Sequence, residues 1–283
     1  MDFSLRDLAV RATPGRRKRS VTLRDIPPPA MLATDLFQGS YRPVLTLLSR
    51  YADRLNAEYG RSLSALQTDS ADDLTSILAA LGDELSRLVL SLTPSLRNWT
   101  IRLERYHRSK WRGAVLAASS VDLDTIIGPQ DVQQTLEDAL NWNVSLVRDV
   151  GDQAKQKMAN AVFAGLRARS PARDVAKQIS EATGLARDRS LRIASDQLSR
   201  LTGALAFERS KQAGIEVQEW MHSRKRHPRK EHEARNGNLY SDVPSRIGTE
   251  VDGKTVLEMP ARGDRPSEPP FCGCRFRSVL IWE

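Results

Sequence analysis

Residues 211–223 read KQAGIEVQEWMHS, and the character of the chain turns over inside them. Before Gly214 the apolar residues recur at steps of three and four, the period of a helix. After it, IEVQEWMH alternates and carries Val217 and Trp220, the period of a strand. This change of period predicts the fold class. The chain should be mainly α with a small C-terminal α+β module: an elongated helical body followed by a short antiparallel β-rich domain.

Upstream of Gly214 the helical period repeats. Val44, Leu47, Leu48, Tyr51, Leu55, Tyr59, Leu63 and Leu66 fall on one stripe. The next stretch begins with Ser70 and Asp73 in a capping-box spacing and carries Ile77, Leu78, Leu81, Leu85, Leu88 and Leu92. Pro94 is expected in the first turn of a third helix bearing Leu96, Trp99, Leu103, Tyr106 and Val115. SSVDLDTIIGPQ (119–130) interrupts the pattern as a structured connection. A long helix then covers 131–169, with Trp142, Leu146, Val150, Met158, Val162, Phe163 and Leu166 on its stripe and Gly151 as a break point. Ser170, Pro171 and Gly184 read as cap, first position and end of a short helix, before a last helix that stops at Gly214. Such stripes are core rather than cofactor sites.

Downstream, Asn236-Gly237 marks a turn, Asp252-Gly253 a hairpin, and CRFRSVLIW (274–282) a closing strand. At the other end, residues 1–30 hold seven Arg and Lys against three Asp. The cluster Arg16, Arg17, Lys18 and Arg19 precedes Pro27, Pro28 and Pro29, which block helix. Residues 1–39 are expected to be a basic, Pro-containing arm, either a solvated tail or a strand of charge lying on DNA or an acidic neighbour. The expected division is therefore arm 1–39, helical body 40–214 and β-rich module 215–283.

The order of features in the last ninety residues resembles a known family. ASDQLSRLTGALAFERSKQAGI (194–215) is followed by EWMHS (219–223), RKEHEARNG (229–237) and PPFCGCRF (269–276). The series is similar to the phage head-morphogenesis family, the minor head proteins like protein F of phage Mu. The residues that carry it are Trp220, Arg229, His232, Gly237, Pro270, Cys272, Cys274 and Arg275. Two departures stand out. Many members have a further cysteine pair where this chain reads SRKRHPRKEH (223–232), and the residue between the cysteines, usually Arg, is Gly273. The resemblance implies a structural protein, present in few copies at the portal vertex inside the head. Its partners would be the portal protein, the major capsid or scaffold proteins and packaged double-stranded DNA, and its place the virion after assembly in the host cytoplasm. No reaction is implied.

Cys272 and Cys274 are the only cysteines. If they lie on a strand, both thiols face one side. A disulfide between them would close a strained ring. Zinc is the cofactor the residues admit, with His232, His227 or His222 completing the ligands; His232, Cys272, Cys274 and His227 form the candidate set. Burial of two small apolar side chains is the other reading. A catalytic thiol would need a base and an orienting acid, and no Asn or Asp sits at a recognisable offset. A DNA-binding protein or metal-dependent nuclease using the His/Cys-rich C-terminal segment is the alternative function, and the nuclease lacks a placed acidic partner.

A net charge of +8 suits a polyanionic partner. Besides the arm, Arg224, Lys225, Arg226, Arg229 and Lys230, with Arg235, are candidate DNA contacts. The cluster has no aromatic among it, which suits phosphate rather than base recognition. No apolar run approaches the about 20 residues a membrane span needs. The N-terminal MDFSLRDLAVRATPGRRKRS lacks the apolar core of a secretory leader, and none is expected. Neither a phosphate-cradling Gly loop nor an HExxH motif is present, so no small-molecule substrate is expected.

Overall fold

The computed structural model describes residues 3–15, 18–65, 70–225 and 228–282. Leu66, Arg16, Arg17, Arg226 and His227 lie outside the described residues, as does the side chain of Ser70. The chain is a helical body followed by a strand-rich C-terminal sheet. It forms two compact units, each from separate segments: Met31–Trp99 with Leu140–Ala194, and Met1–Ala30 with Thr100–Ala139 and Ser195–Glu283.

The first of these, the helical unit, starts where the prolines end. Helix α1 (Leu5–Ala12) belongs to the other unit; α2 spans Ala30–Leu36 and passes through a π-helical turn, Phe37–Tyr41, into α3 (Arg42–Ala65). Parts of α4 (Ser70–Ser119), α5 (Gln133–Ala168) and α6 (Ala172–Gln212) complete it. Val44, Leu48, Tyr51, Leu55 and Tyr59 are buried along α3, and Leu74, Leu81, Leu85 and Leu96 along α4, so the helical period drives the packing.

Within the helices, four sequence expectations are corrected. Pro94 lies inside the 50-residue α4 and does not start a helix. Proline there costs one backbone hydrogen bond, the one to the carbonyl of Leu90 four residues back. Gly151 continues α5, where a Cβ would lie 2.9 Å from Leu85 Cδ2; it allows close helix packing. Gly184 does not end a helix, because α6 runs through it. Trp142 stands 52% exposed, off the buried stripe of α5.

In the C-terminal unit, β1 (Ser20–Thr22), β2 (Val217–Met221), β3 (Leu239–Ser241), β4 (Glu250–Val251), β5 (Lys254–Glu258) and β6 (Arg275–Ile281) form a sheet in the order β1-β6-β2-β3-β5-β4. All pairs are antiparallel except β3 with β5. Gly214, at φ +67, turns the chain out of α6. Asp252 and Gly253 both have positive φ, the backbone of a two-residue hairpin turn.

The expected arm, 1–39, is corrected as well: its described residues 3–15 and 18–29 belong to the C-terminal unit, and Ala30–Leu36 is helix α2. Ser20–Thr22 pairs with Val279–Ile281, Leu5 N donates to Ala213 O at 3.0 Å, and Leu5, Ala9 and Leu23 pack with Trp111, Val115, Ile215 and Leu280. The apolar residues of this segment match a partly covered sheet edge and helix end, and that pairing outweighs its basic composition.

Candidate functional site

The motif residues meet in the C-terminal unit. Trp220 comes from the middle of β2, and His232 from the short helix α7 (Lys230–Ala234). Gly237, at φ +81, donates its N–H to Trp220 O at 2.8 Å and returns the chain to β3. Cys272 and Cys274 stand just before β6, not on it. Positive φ at Phe271 (60°) and Gly273 (69°) folds this segment, and the turn rather than strand alternation aims both sulfurs one way.

His232 Nδ1 lies 3.2 Å from Cys272 Sγ and 3.8 Å from Cys274 Sγ. Its other nitrogen, Nε2, meets Asp264 Oδ1 at 3.0 Å. The carboxylate accepts there, so Nε2 carries a proton, and Nδ1 faces the sulfurs. Arg235 binds the second oxygen of Asp264 at 2.7 Å and lays its guanidinium 5.0 Å from the Trp220 ring centroid. The His232 ring stands edge-on to the same indole, centroids 5.0 Å apart. Trp220, His232, Asp264 and Arg235 thus form a closed ring of contacts.

The cysteine turn is held from three sides. Phe271 N donates to Asp196 Oδ1 of α6 at 2.6 Å. Arg229 and Lys225 donate to the carbonyls of Pro270 and Phe271 at 3.0 and 2.8 Å. Ser267 Oγ donates to Cys274 O at 2.7 Å. Arg275 makes a two-bonded pair with Asp25, at 3.0 and 2.7 Å, which fastens the N-terminal segment beside β6.

The electrostatics follow the geometry. A hydrogen bond from the Cys274 thiol holds Cys272 well below the ordinary thiol range, and the same bond pushes Cys274 up. Arg235's hydrogen bond keeps the Asp264 carboxyl below its usual range. Burial pushes Asp196 up.

Not every sequence candidate joins this centre. His222 lies outside the His–Cys–Cys group, its Nδ1 accepting from Arg224 N at 3.2 Å. Among the candidate DNA contacts, Lys18, Arg19, Arg224, Lys225, Arg229 and Lys230 are exposed, but Lys225 and Arg229 also hold the cysteine turn. Arg235 is engaged with Asp264 and Trp220 instead of facing solvent as a phosphate contact. Sequence reading missed Asp264 and Asp196, which lie in a loop and on a distant helix with no periodic relation to His232. The one available signal was the spacing of His232 and Arg235, three residues apart on one helix face.

Chemically, the centre offers a buried imidazole nitrogen and two thiols whose ligand atoms all lie within 4.8 Å of one another. It can pack, hold a soft metal ion or polarise a thiol. The chain matches no protein-family profile and no solved structure. Over 138 residues, 49% of its length, it is 30% identical to an uncharacterized protein of Haemophilus influenzae, of which the match takes in 28%.

Proposed function

We propose that the chain is a phage minor head-morphogenesis protein that acts by binding rather than by catalysis. In this reading it sits at the portal vertex inside the capsid, contacts portal and capsid or scaffold proteins, and assists assembly and the packaging or ejection of DNA. One observation carries the reading. The residues on which the family resemblance rests are scattered over 56 positions, from Trp220 to Arg275, yet they serve one small module. Trp220, His232, Cys272 and Cys274 share a buried cluster, Gly237 closes onto Trp220, and Arg229 onto Pro270. Motif residues used in this way build a compact tail module, as a structural component requires. The exposed Lys18, Arg19, Arg224 and Lys230 fit non-specific contact with packed DNA.

The test is the copy number of this chain in purified particles, by quantitative mass spectrometry against the portal protein. A fixed ratio, at or below that of the portal and retained in portal-containing subassemblies, is expected. Absence from particles overturns the proposal. Plasmid cleavage with added divalent metal, lost on His232→Ala, would instead favour the nuclease alternative.

A further inference from the structure

We propose that His232 Nδ1, Cys272 Sγ and Cys274 Sγ bind one Zn²⁺ ion, which clamps the 259–274 segment onto α7. The proposal does not depend on the function above.

Three observations carry it. The first is spacing. Around a tetrahedral zinc with Zn–S of about 2.3 Å and Zn–N of about 2.05 Å, a nitrogen and a sulfur stand about 3.6 Å apart. The two N···S separations here, 3.2 and 3.8 Å, bracket that value. On these two separations, an ion needs shifts of only a few tenths of an ångström.

The second is the outer arrangement. A metal-binding imidazole usually gives its other N–H to a carboxylate, which fixes the tautomer and the ring orientation. Asp264 does this, and Arg235 in turn fixes Asp264.

The third is the chemistry of the set. Two sulfurs and one imidazole select a soft or borderline ion over Mg²⁺ or Ca²⁺. All three residues are buried, at 1%, 5% and 1% exposure for His232, Cys272 and Cys274.

A Cys272–His232–Asp264 series also has the order of a nucleophile, its base and an orienting acid. Yet Cys272 is only 5% exposed, and the same ring nitrogen faces a second thiol 3.8 Å away, for which a nucleophile–base pair has no use. The shared nitrogen fits an ion between the three groups.

The test uses the full chain without an affinity tag, purified and loaded with zinc, then passed over a chelating resin. About one equivalent of zinc should remain, and cobalt in its place should show a thiolate-to-metal charge-transfer band with the visible bands of a tetrahedral ion. Cys272→Ser and Cys274→Ser should each lose part of that band. Because those variants alter buried positions, Asp264→Asn provides the second arm. It changes a 44% exposed carboxylate and should weaken zinc binding about 10–100-fold against a chromophoric chelator, with the circular dichroism spectrum unchanged. A folded chain that retains no zinc, or a cobalt spectrum indifferent to both serine variants, overturns the proposal.

Discussion

Arg209 and His107 meet inside the C-terminal unit, Nη1 to Nδ1 at 2.6 Å, with 1% and 0% of their surfaces exposed. The guanidinium donates, so the imidazole must accept and therefore be neutral. Arg209 also binds Glu104 Oε1, itself buried, at 2.5 Å. One carboxylate thus balances one buried guanidinium, and the histidine fills a remaining donor without adding charge.

His107 makes stability pH-dependent. Burial, and secondarily the charge of Arg209, drive its pKa well below the ordinary 6.5. The unfolded chain therefore takes up a proton at a pH where the folded chain does not. Stability is complete above 6.5 and falls as the solution is acidified below it, approaching about 1.4 kcal/mol per pH unit until the folded pKa is reached. Urea unfolding across this range should show the slope in the native chain and a reduced slope in His107→Gln. Equal slopes in both would refute this assignment.

Glu104→Gln should cost about 3–5 kcal/mol, because it leaves Arg209 buried without its counter-charge. The double variant Glu104→Gln with Arg209→Met should recover much of that loss. A double-mutant cycle measured by chemical denaturation tests the coupling; simple additivity would contradict it.

Two helical glycines should respond in opposite directions to alanine. A Cβ at Gly165 would fall 2.5 Å from Val175 Cγ2 and 2.8 Å from the Tyr59 hydroxyl, so Gly165→Ala should destabilise by about 1–3 kcal/mol. Among the described residues, a Cβ at Gly184 would meet nothing within 4 Å outside its own helix backbone, and Gly184→Ala should stabilise by about 0.5–1 kcal/mol. Thermal melts of both variants decide the point. If Gly184→Ala lowered the melting temperature, α6 would not run through that residue.

Leu5→Ala should cost about 2–5 kcal/mol, since Leu5 is fully buried against the core of Trp111, Val115 and Leu280. In a free basic arm the same change would stay within about 0.5 kcal/mol. Equilibrium unfolding of this single variant separates the two pictures.

The fold class was legible because periodicity is local. The α3 stripe from Val44 to Tyr59 is buried as the spacing requires, and the change of period after Gly214 coincides with the end of α6 and the start of β2. Helix limits were less legible. Pro94 and Gly184 carry real local penalties, but packing along α4 and α6 outweighs them, and no neighbour in sequence reports that packing.

Sequence alone thus determined the helical body and the β-rich end, and offered His232, His227, Cys272 and Cys274 as one candidate group. Tertiary structure alone decided the rest. It brought Asp264 to the far nitrogen of His232, drew Arg235 from the basic cluster onto Trp220, and set Ser20–Thr22 beside β6 with Leu5, Ala9 and Leu23 in the core. The physical reason is range. Local spacing fixes which face a side chain takes, whereas Asp25 with Arg275 and Arg209 with Glu104 are joined across 250 and 105 residues by contacts that exist only once the chain has closed on itself.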